Sequence, residues 1–243
     1  MQKQVVTREE WRTARLVLLA KERELTHQQD RLKAERRAMP WVKIEEDYVF
    51  GSTEGEKSLA DLFDGRSQLF VQHFMLTPGS AHICHGCAGM ADGVDSARQH
   101  FEQADLSFAA VSRASVEEIE AAKRRMGWTF PWVSSAGSSF NADYGVSFTP
   151  EQVATGDVGY NFGTTRFAME DLQGISVFAK NGAGEVFHTY SAYARGVEPV
   201  FTSFGFLDFA PKGRNEEGAM SWVKLHDEYE ASKAATSCCA PDL

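Results

Sequence analysis

Cysteine is scarce in this chain of 243 residues: there are four, at positions 84, 87, 238 and 239. Four clustered thiols cannot supply the disulfide framework of a small secreted domain, and in a reducing compartment paired cysteines read as redox-active or metal-binding. No run of about 18 apolar residues occurs, so no segment reads as a membrane-spanning helix. An excess of positive charge is missing as well: the formal net charge is −9, whereas nucleic acid would call for a basic face. The opening residues, Met1-Gln2-Lys3-Gln4-Val5-Val6-Thr7, lack the apolar core and small-residue cleavage site of a secretory signal. A cytoplasmic protein is expected, with neither nucleic acid nor membrane as a partner. The apolar fraction of 43% and charged fraction of 24% suit a globular protein large enough to bury a real core.

The cysteines that are present carry the strongest signal. Cys84-His85-Gly86-Cys87 follows an apolar, strand-like run, Leu69 to Met75, and the turn signal Thr77-Pro78-Gly79. Beyond the motif, Met90, Ala91, Val94, Ala97 and Phe101 recur at helical spacing. The two thiols are therefore expected where a strand ends and a helix begins. The free N–H donors and partial positive charge of a helix N-terminus favour thiolate over thiol.

Three zones are expected. Residues 1–40 form an N-terminal helical arm: Thr7-Arg8-Glu9-Glu10 has capping-box form, and Met39-Pro40 stops the helix. Trp11, Leu18, Leu25 and Leu32 repeat every seven residues, and the segment is net +4 against −13 for the remainder. Such a stripe suits either a solvated helix laid on the body of the protein or one packed in a homodimer. Residues 41–212 alternate strand and helix signals, with a second capping box at Ser115-Val116-Glu117-Glu118 and a hairpin signal at Asn181-Gly182. The order strand, helix, strand, helix, hairpin predicts an α/β fold, a thioredoxin-like mixed sheet flanked by helices. A long insertion is expected near 146–174, where Gly, Thr and acidic residues concentrate. Residues 213–243 are expected to hold a C-terminal helix, around Ala219 to Tyr229, and then a flexible tail containing Cys238 and Cys239.

Several long segments resemble a known family. They are Leu18-Leu19-Ala20-Lys21-Glu22-Arg23-Glu24-Leu25-Thr26, Ala34-Glu35-Arg36-Arg37-Ala38-Met39-Pro40-Trp41-Val42, Ser58-Leu59-Ala60-Asp61-Leu62-Phe63, Arg124 through Ser135, and Tyr190-Ser191-Ala192-Tyr193-Ala194-Arg195-Gly196. Over about residues 8 to 212 the chain resembles a bacterial thioredoxin-like family of unknown function, often described as predicted dithiol–disulfide oxidoreductases. The resemblance implies the same fold and a redox dithiol. Two departures stand out. His85-Gly86 occupies the place where members often carry proline. The stretch Leu172-Gln173-Gly174, which matches the cis-proline site of thioredoxins, has no proline, and this points away from a groove for an extended peptide.

In the redox reading no cofactor is required. Cys84 attacks a thiol or disulfide substrate, a small molecule or a protein, and Cys87 resolves the mixed disulfide. His85, as imidazolium, would stabilise the Cys84 thiolate. The alternative is a copper or zinc site in which Cys84 and Cys87 are joined by His82, His85 and His188, with Met90 and His73 as further donors by composition. Trp128 and Trp132 suit either a substrate pocket or the core, and Arg195 could hold an anionic substrate. Cys238 and Cys239 could relay electrons or join a metal site.

Overall fold

The computed structural model describes residues 4–229 apart from residue 157. The chain divides after Trp41 into two compact units.

The first unit is one helix, α1 (Arg8–Arg37), which opens as the capping box requires. Thr7 Oγ1 accepts from the Glu10 N–H while the Glu10 carboxylate accepts from the Thr7 N–H, so two otherwise orphaned donors are satisfied. No residue of α1 is buried, and each of the four heptad residues, Trp11, Leu18, Leu25 and Leu32, is about half exposed.

The second unit starts with the short strands β1 (Val42–Lys43), β2 (Val49–Ser52) and β3 (Gly55–Ser58). Then come β4 (Gln68–His73), α2 (His85–Ala91), α3 (Val94–Gln103), β5 (Leu106–Ser112), α4 (Val116–Met126) and β6 (Trp132–Ser134). After the single turn α5 (Phe140–Asp143), residues 146–174 include α6 (Pro150–Ala154) and a hairpin of β7 (Val158–Tyr160) and β8 (Thr165–Phe167). Strands β9 (Gly174–Lys180) and β10 (Val186–Tyr193) complete the main sheet, and α7 (Thr202–Leu207) follows. The strand order is β1-β10-β9-β4-β5-β6-β2-β3. Strands β4, β5 and β6 are parallel; β9 pairs antiparallel with β4, and β10 with β9. This is the expected thioredoxin-like sheet, with the dithiol helix directly after the central strand β4.

Alternation along β4 creates two faces. Leu69 and Val71 point into a core with Phe50, Phe63, Phe140 and Phe178, whereas Phe70 and Phe74 pack on the side that carries Cys87, Ala88, Ile119 and Met126. Successive strand residues face opposite sides, so one strand serves both layers. The helices that cover the second face are bounded by local chemistry. Ser115 and Glu118 form the reciprocal cap of α4, and Gly127 ends it at φ 68°, a left-handed position suited to glycine. The hairpin at Asn181 is present, with Val186 opposite Lys180.

The segment near 146–174 has its own structure and anchorage. Val146, Tyr160 and Leu172 are buried with Tyr193. Asp171 accepts from Arg113, Ser147 and Thr77. Burial pushes the Asp171 carboxyl up, but these hydrogen bonds outweigh it and hold the group below the ordinary range.

The C-terminal helix differs from expectation. Residues 211–225 form turns and loop, and helix begins only at His226. The reason is burial with period two: Val223 and Leu225 are buried while Trp222 and Lys224 are less so, which requires extended chain rather than helix. Val223 and Leu225 enter different apolar clusters, and Leu225 joins the one that holds Cys87. Cys238 and Cys239 lie outside the described residues.

Candidate active site

Strand β4 delivers the chain to the site, and the loop from Phe74 to Ile83 turns it into α2. Cys84 is the N-cap of that helix: its Sγ accepts from the Cys87 N–H at 3.3 Å, the role a serine oxygen usually plays. The Cys87 Sγ accepts from the Met75 N–H at 3.5 Å. Behind it, Gln72 Nε2 donates to the Cys87 carbonyl at 2.9 Å.

The two sulfurs have been made unequal. A hydrogen bond from the Cys87 thiol, aided by the N–H groups of Cys87 and Gly86 and opposed by burial, brings Cys84 down to about 7. Burial, and then the adjacent Cys84, drives Cys87 well above the ordinary thiol range. Cys84 is partly exposed and Cys87 is buried. A low thiol at the entrance and a high one behind it is the polarity that dithiol exchange uses, because the thiolate is the attacking species.

The source of that polarity corrects one expectation. His85 Nε2 faces the Glu228 carboxylate at 3.8 Å, and its ring centroid is 5.5 Å from that of His82. The hydrogen bonds that lower Cys84 come from Cys87 and Gly86 rather than from His85. Nearby, the described C-terminal residues lie against the motif. A Cβ at Gly86 would sit 2.8 Å from Met220 Cε, so this position needs glycine or a shift of the methionine tip. At the far end of α2, Asp92 accepts from Trp128 Nε1 at 2.8 Å and pairs with His226 Nδ1 at 2.7 Å.

The remaining candidates separate. Trp128 and Trp132 belong to the core beneath α2; Trp132 packs on Phe74 at 4.3 Å between ring centroids, and its Nε1 donates to Ser112. They shape the floor of the site as core residues. Arg195 is 85% exposed and pairs with Glu198. His188 is bonded to Ser191 on β10 and packs on Tyr144 and Phe178, in the apolar layer on the other face of the sheet from Cys87. His73 shares that layer through Tyr144 and Phe140. The set Cys84, Cys87, His82, His85 and His188 is therefore not gathered. Among the described residues, no group of three or more His, Cys, Asp or Glu side chains is placed to hold a metal ion.

Sequence reasoning passed over three contributors. Met75 acts through its backbone N–H, which no side-chain pattern reveals. Gln72 is an interior polar residue whose partner is a main-chain carbonyl. Tyr160, from the 146–174 segment, donates to the Gln173 carbonyl and accepts from the Ala194 N–H; burial, with the nearby Cys87 adding to it, pushes its phenol up to about 12. The only sequence signal for Gln72 was its place among alternating apolar residues.

Fold and site together define a thioredoxin-like protein that carries a Cys-His-Gly-Cys dithiol at the start of the helix after its central strand. The chain belongs to the family described as bacterial protein of unknown function (DUF899), whose match spans residues 1–229. No curated protein matches it. Among solved structures it is similar to a peroxidoxin, BcpB, of Mycobacterium tuberculosis, with 12% identity and a TM-score of 0.44 over 68% of this chain and 94% of that one. It is also similar to PrxQ of Xylella fastidiosa, with 15% identity and a TM-score of 0.42 over 69% of this chain and 96% of that one. No helix among the described residues is long and apolar enough to cross a membrane.

Proposed function

We propose that the protein is a thiol–disulfide oxidoreductase working through Cys84 and Cys87. The observation that carries this reading is the placement of the two thiols at one helix N-terminus, with Cys84 partly exposed as the N-cap that accepts from the Cys87 N–H and Cys87 buried behind it; Cys84 is accordingly displaced down and Cys87 up. The Cys84 thiolate attacks one sulfur of a substrate disulfide; a Cys84–substrate disulfide forms and the other substrate sulfur leaves as a thiolate. Cys87 then loses its proton and attacks the Cys84 sulfur. The Cys84–Cys87 disulfide forms, and the remaining substrate thiolate departs and takes up a proton. The substrate disulfide is reduced and the protein dithiol oxidised; a cellular thiol reductant closes the cycle.

A small disulfide suits the site better than an extended peptide. The Gln173 carbonyl, at the position where thioredoxin-like grooves offer main chain to a substrate, is already taken by the Tyr160 hydroxyl. Gly174 beside it lies under the Tyr193 ring, 2.6 Å from where a Cβ would be.

Trapping with a small aromatic disulfide tests the assignment. In a background carrying Cys238→Ser and Cys239→Ser, Cys87→Ser should accumulate a mixed disulfide on Cys84, seen by intact mass, whereas Cys84→Ser should accumulate none. Equal labelling of both variants, or of neither, overturns the proposal.

A further inference from the structure

The last described stretch of the second unit is fastened along α2 at several points. Leu225 is buried in the cluster on which Cys84 packs, and His226 pairs with Asp92 at the far end of the helix. Arg125 holds Asp227 at 2.7 Å and Glu228 at 3.2 Å. The Glu228 carboxylate in turn lies 3.8 Å from His85, the residue after Cys84. The chain is thus anchored beside the dithiol at Glu228, and Cys238 and Cys239 follow by ten and eleven residues. Ten residues reach up to about 33–36 Å, well beyond the short path from Glu228 past His85 to the Cys84 sulfur.

Dithiol exchange needs a second thiol to attack the Cys84 sulfur and expel the substrate. Cys87 performs this from inside the core, where it is 3% exposed and burial keeps its proton well above the ordinary thiol range. An ordinary thiol ionises near 8.5, and one on a tether that spans its target acts at about millimolar effective concentration. A tethered thiol can therefore compete with Cys87 for the same sulfur, which Cys84 presents partly exposed.

We propose that the pair Cys238-Cys239 supplies a second resolving thiol for Cys84, a role that rests on the oxidoreductase reading. One of these thiols gives its proton to solvent and attacks the Cys84 sulfur of the Cys84–substrate disulfide. A disulfide between Cys84 and that cysteine forms, the Cys84–substrate bond breaks, and the substrate thiolate leaves and takes up a proton. The cellular thiol reductant that closes the cycle then opens the new disulfide, returning both sulfurs to thiols.

The probe is 2,2′-dipyridyl disulfide, one equivalent on full-length variants, followed by intact mass and non-reducing peptide mapping. Labelling at about pH 6 favours Cys84, which ionises near 7, over an ordinary thiol near 8.5; a shift to about pH 8 starts the exchange. The triple variant Cys87→Ser, Cys238→Ser, Cys239→Ser should keep its adduct on Cys84. With Cys238 or Cys239 restored singly, at least one of the two variants should convert the adduct into an internal disulfide with Cys84. That rate should be unchanged by protein dilution, and the triple variant should match it only with about 1 mM free cysteine added. Adducts that persist in both restored variants, or disulfides that link two chains, overturn the proposal and leave the reactivity of Cys84 standing. A triple variant that takes up no label refutes the oxidoreductase reading, and the second resolving thiol with it.

Discussion

His73 and His188 stand at the two ends of one hydrogen-bond chain that crosses three strands. His73 Nε2 meets Ser176 Oγ, Ser176 meets Ser191, and Ser191 meets His188 Nε2, each step at 2.8 Å. The chain can be fully bonded with both imidazoles neutral. A proton on His73 would be a buried cation with no anion beside it. Burial, and then the neighbouring His188, accordingly pulls His73 down to about 3.

The acid stability of the protein follows from that displacement. The unfolded chain takes up a proton near pH 6.5, while the folded chain refuses it until about 3. The stabilisation is thus fully present above about pH 6.5 and is lost as the pH falls toward 3, at roughly 1.4 kcal/mol per pH unit. In urea unfolding between pH 7.5 and 4.5, His73→Gln should flatten this dependence by about one proton. A variant that keeps the wild-type slope contradicts the assignment.

Thiol reactivity should be equally lopsided. Of the two motif thiols, alkylation of the reduced protein by iodoacetamide is expected to fall on Cys84, with a rate that reaches half its maximum near pH 7, against about 8.5 for a free cysteine. Peptide mapping across a pH series checks this. Faster modification of Cys87, or a midpoint at the free value, rules it out.

The segment over the motif offers a separate handle. Leu225 is 2% exposed in the cluster that holds Cys87, and Leu225→Ala should cost about 2–5 kcal/mol. Because that residue seats the stretch from Met220 to Glu228, the same change should also speed Cys84 alkylation several-fold at fixed pH. Lost stability with an unchanged rate would mean that this stretch does not govern access.

We propose that the seven-residue stripe of α1 meets a second copy of the chain, since Trp11, Leu18, Leu25 and Leu32 are all about half exposed and exposed apolar rows mark interaction sites. Full-length protein should be dimeric by light scattering at micromolar concentration, and protein lacking residues 1–40 monomeric. A monomeric full-length chain disproves it.

Where chemistry is local, the sequence was a sufficient guide. Thr7 with Glu10 and Ser115 with Glu118 each announce a helix start within four residues, and the caps formed as read. The strand before Cys84 and the helix after it follow from apolar spacing alone. What escaped was set by partners far along the chain. Nothing near His85 indicates that Glu228 will face it, and nothing near His188 shows that Tyr144 will pack on it in the apolar layer behind the sheet. Trp128 and Trp132 carry polar handles that suit a pocket or a core equally; Asp92 and Ser112 decide for the core. The stretch 219–229 looked helical by composition, yet burial of alternate residues at 223 and 225 demanded extended chain.

The contact between Asp92 and His226 spans 134 positions, and this separation has a consequence for biosynthesis. Domains fold as they emerge, at about 5–20 residues per second, so the sheet, complete at Tyr193, and the dithiol helix can assemble roughly 1–7 seconds before residues 220–228 leave the ribosome. During that interval Cys84 and Cys87 lack the cover that Met220 and Leu225 later give them. The thiols of the nascent chain are therefore more open to cellular oxidants and reductants than those of the finished protein.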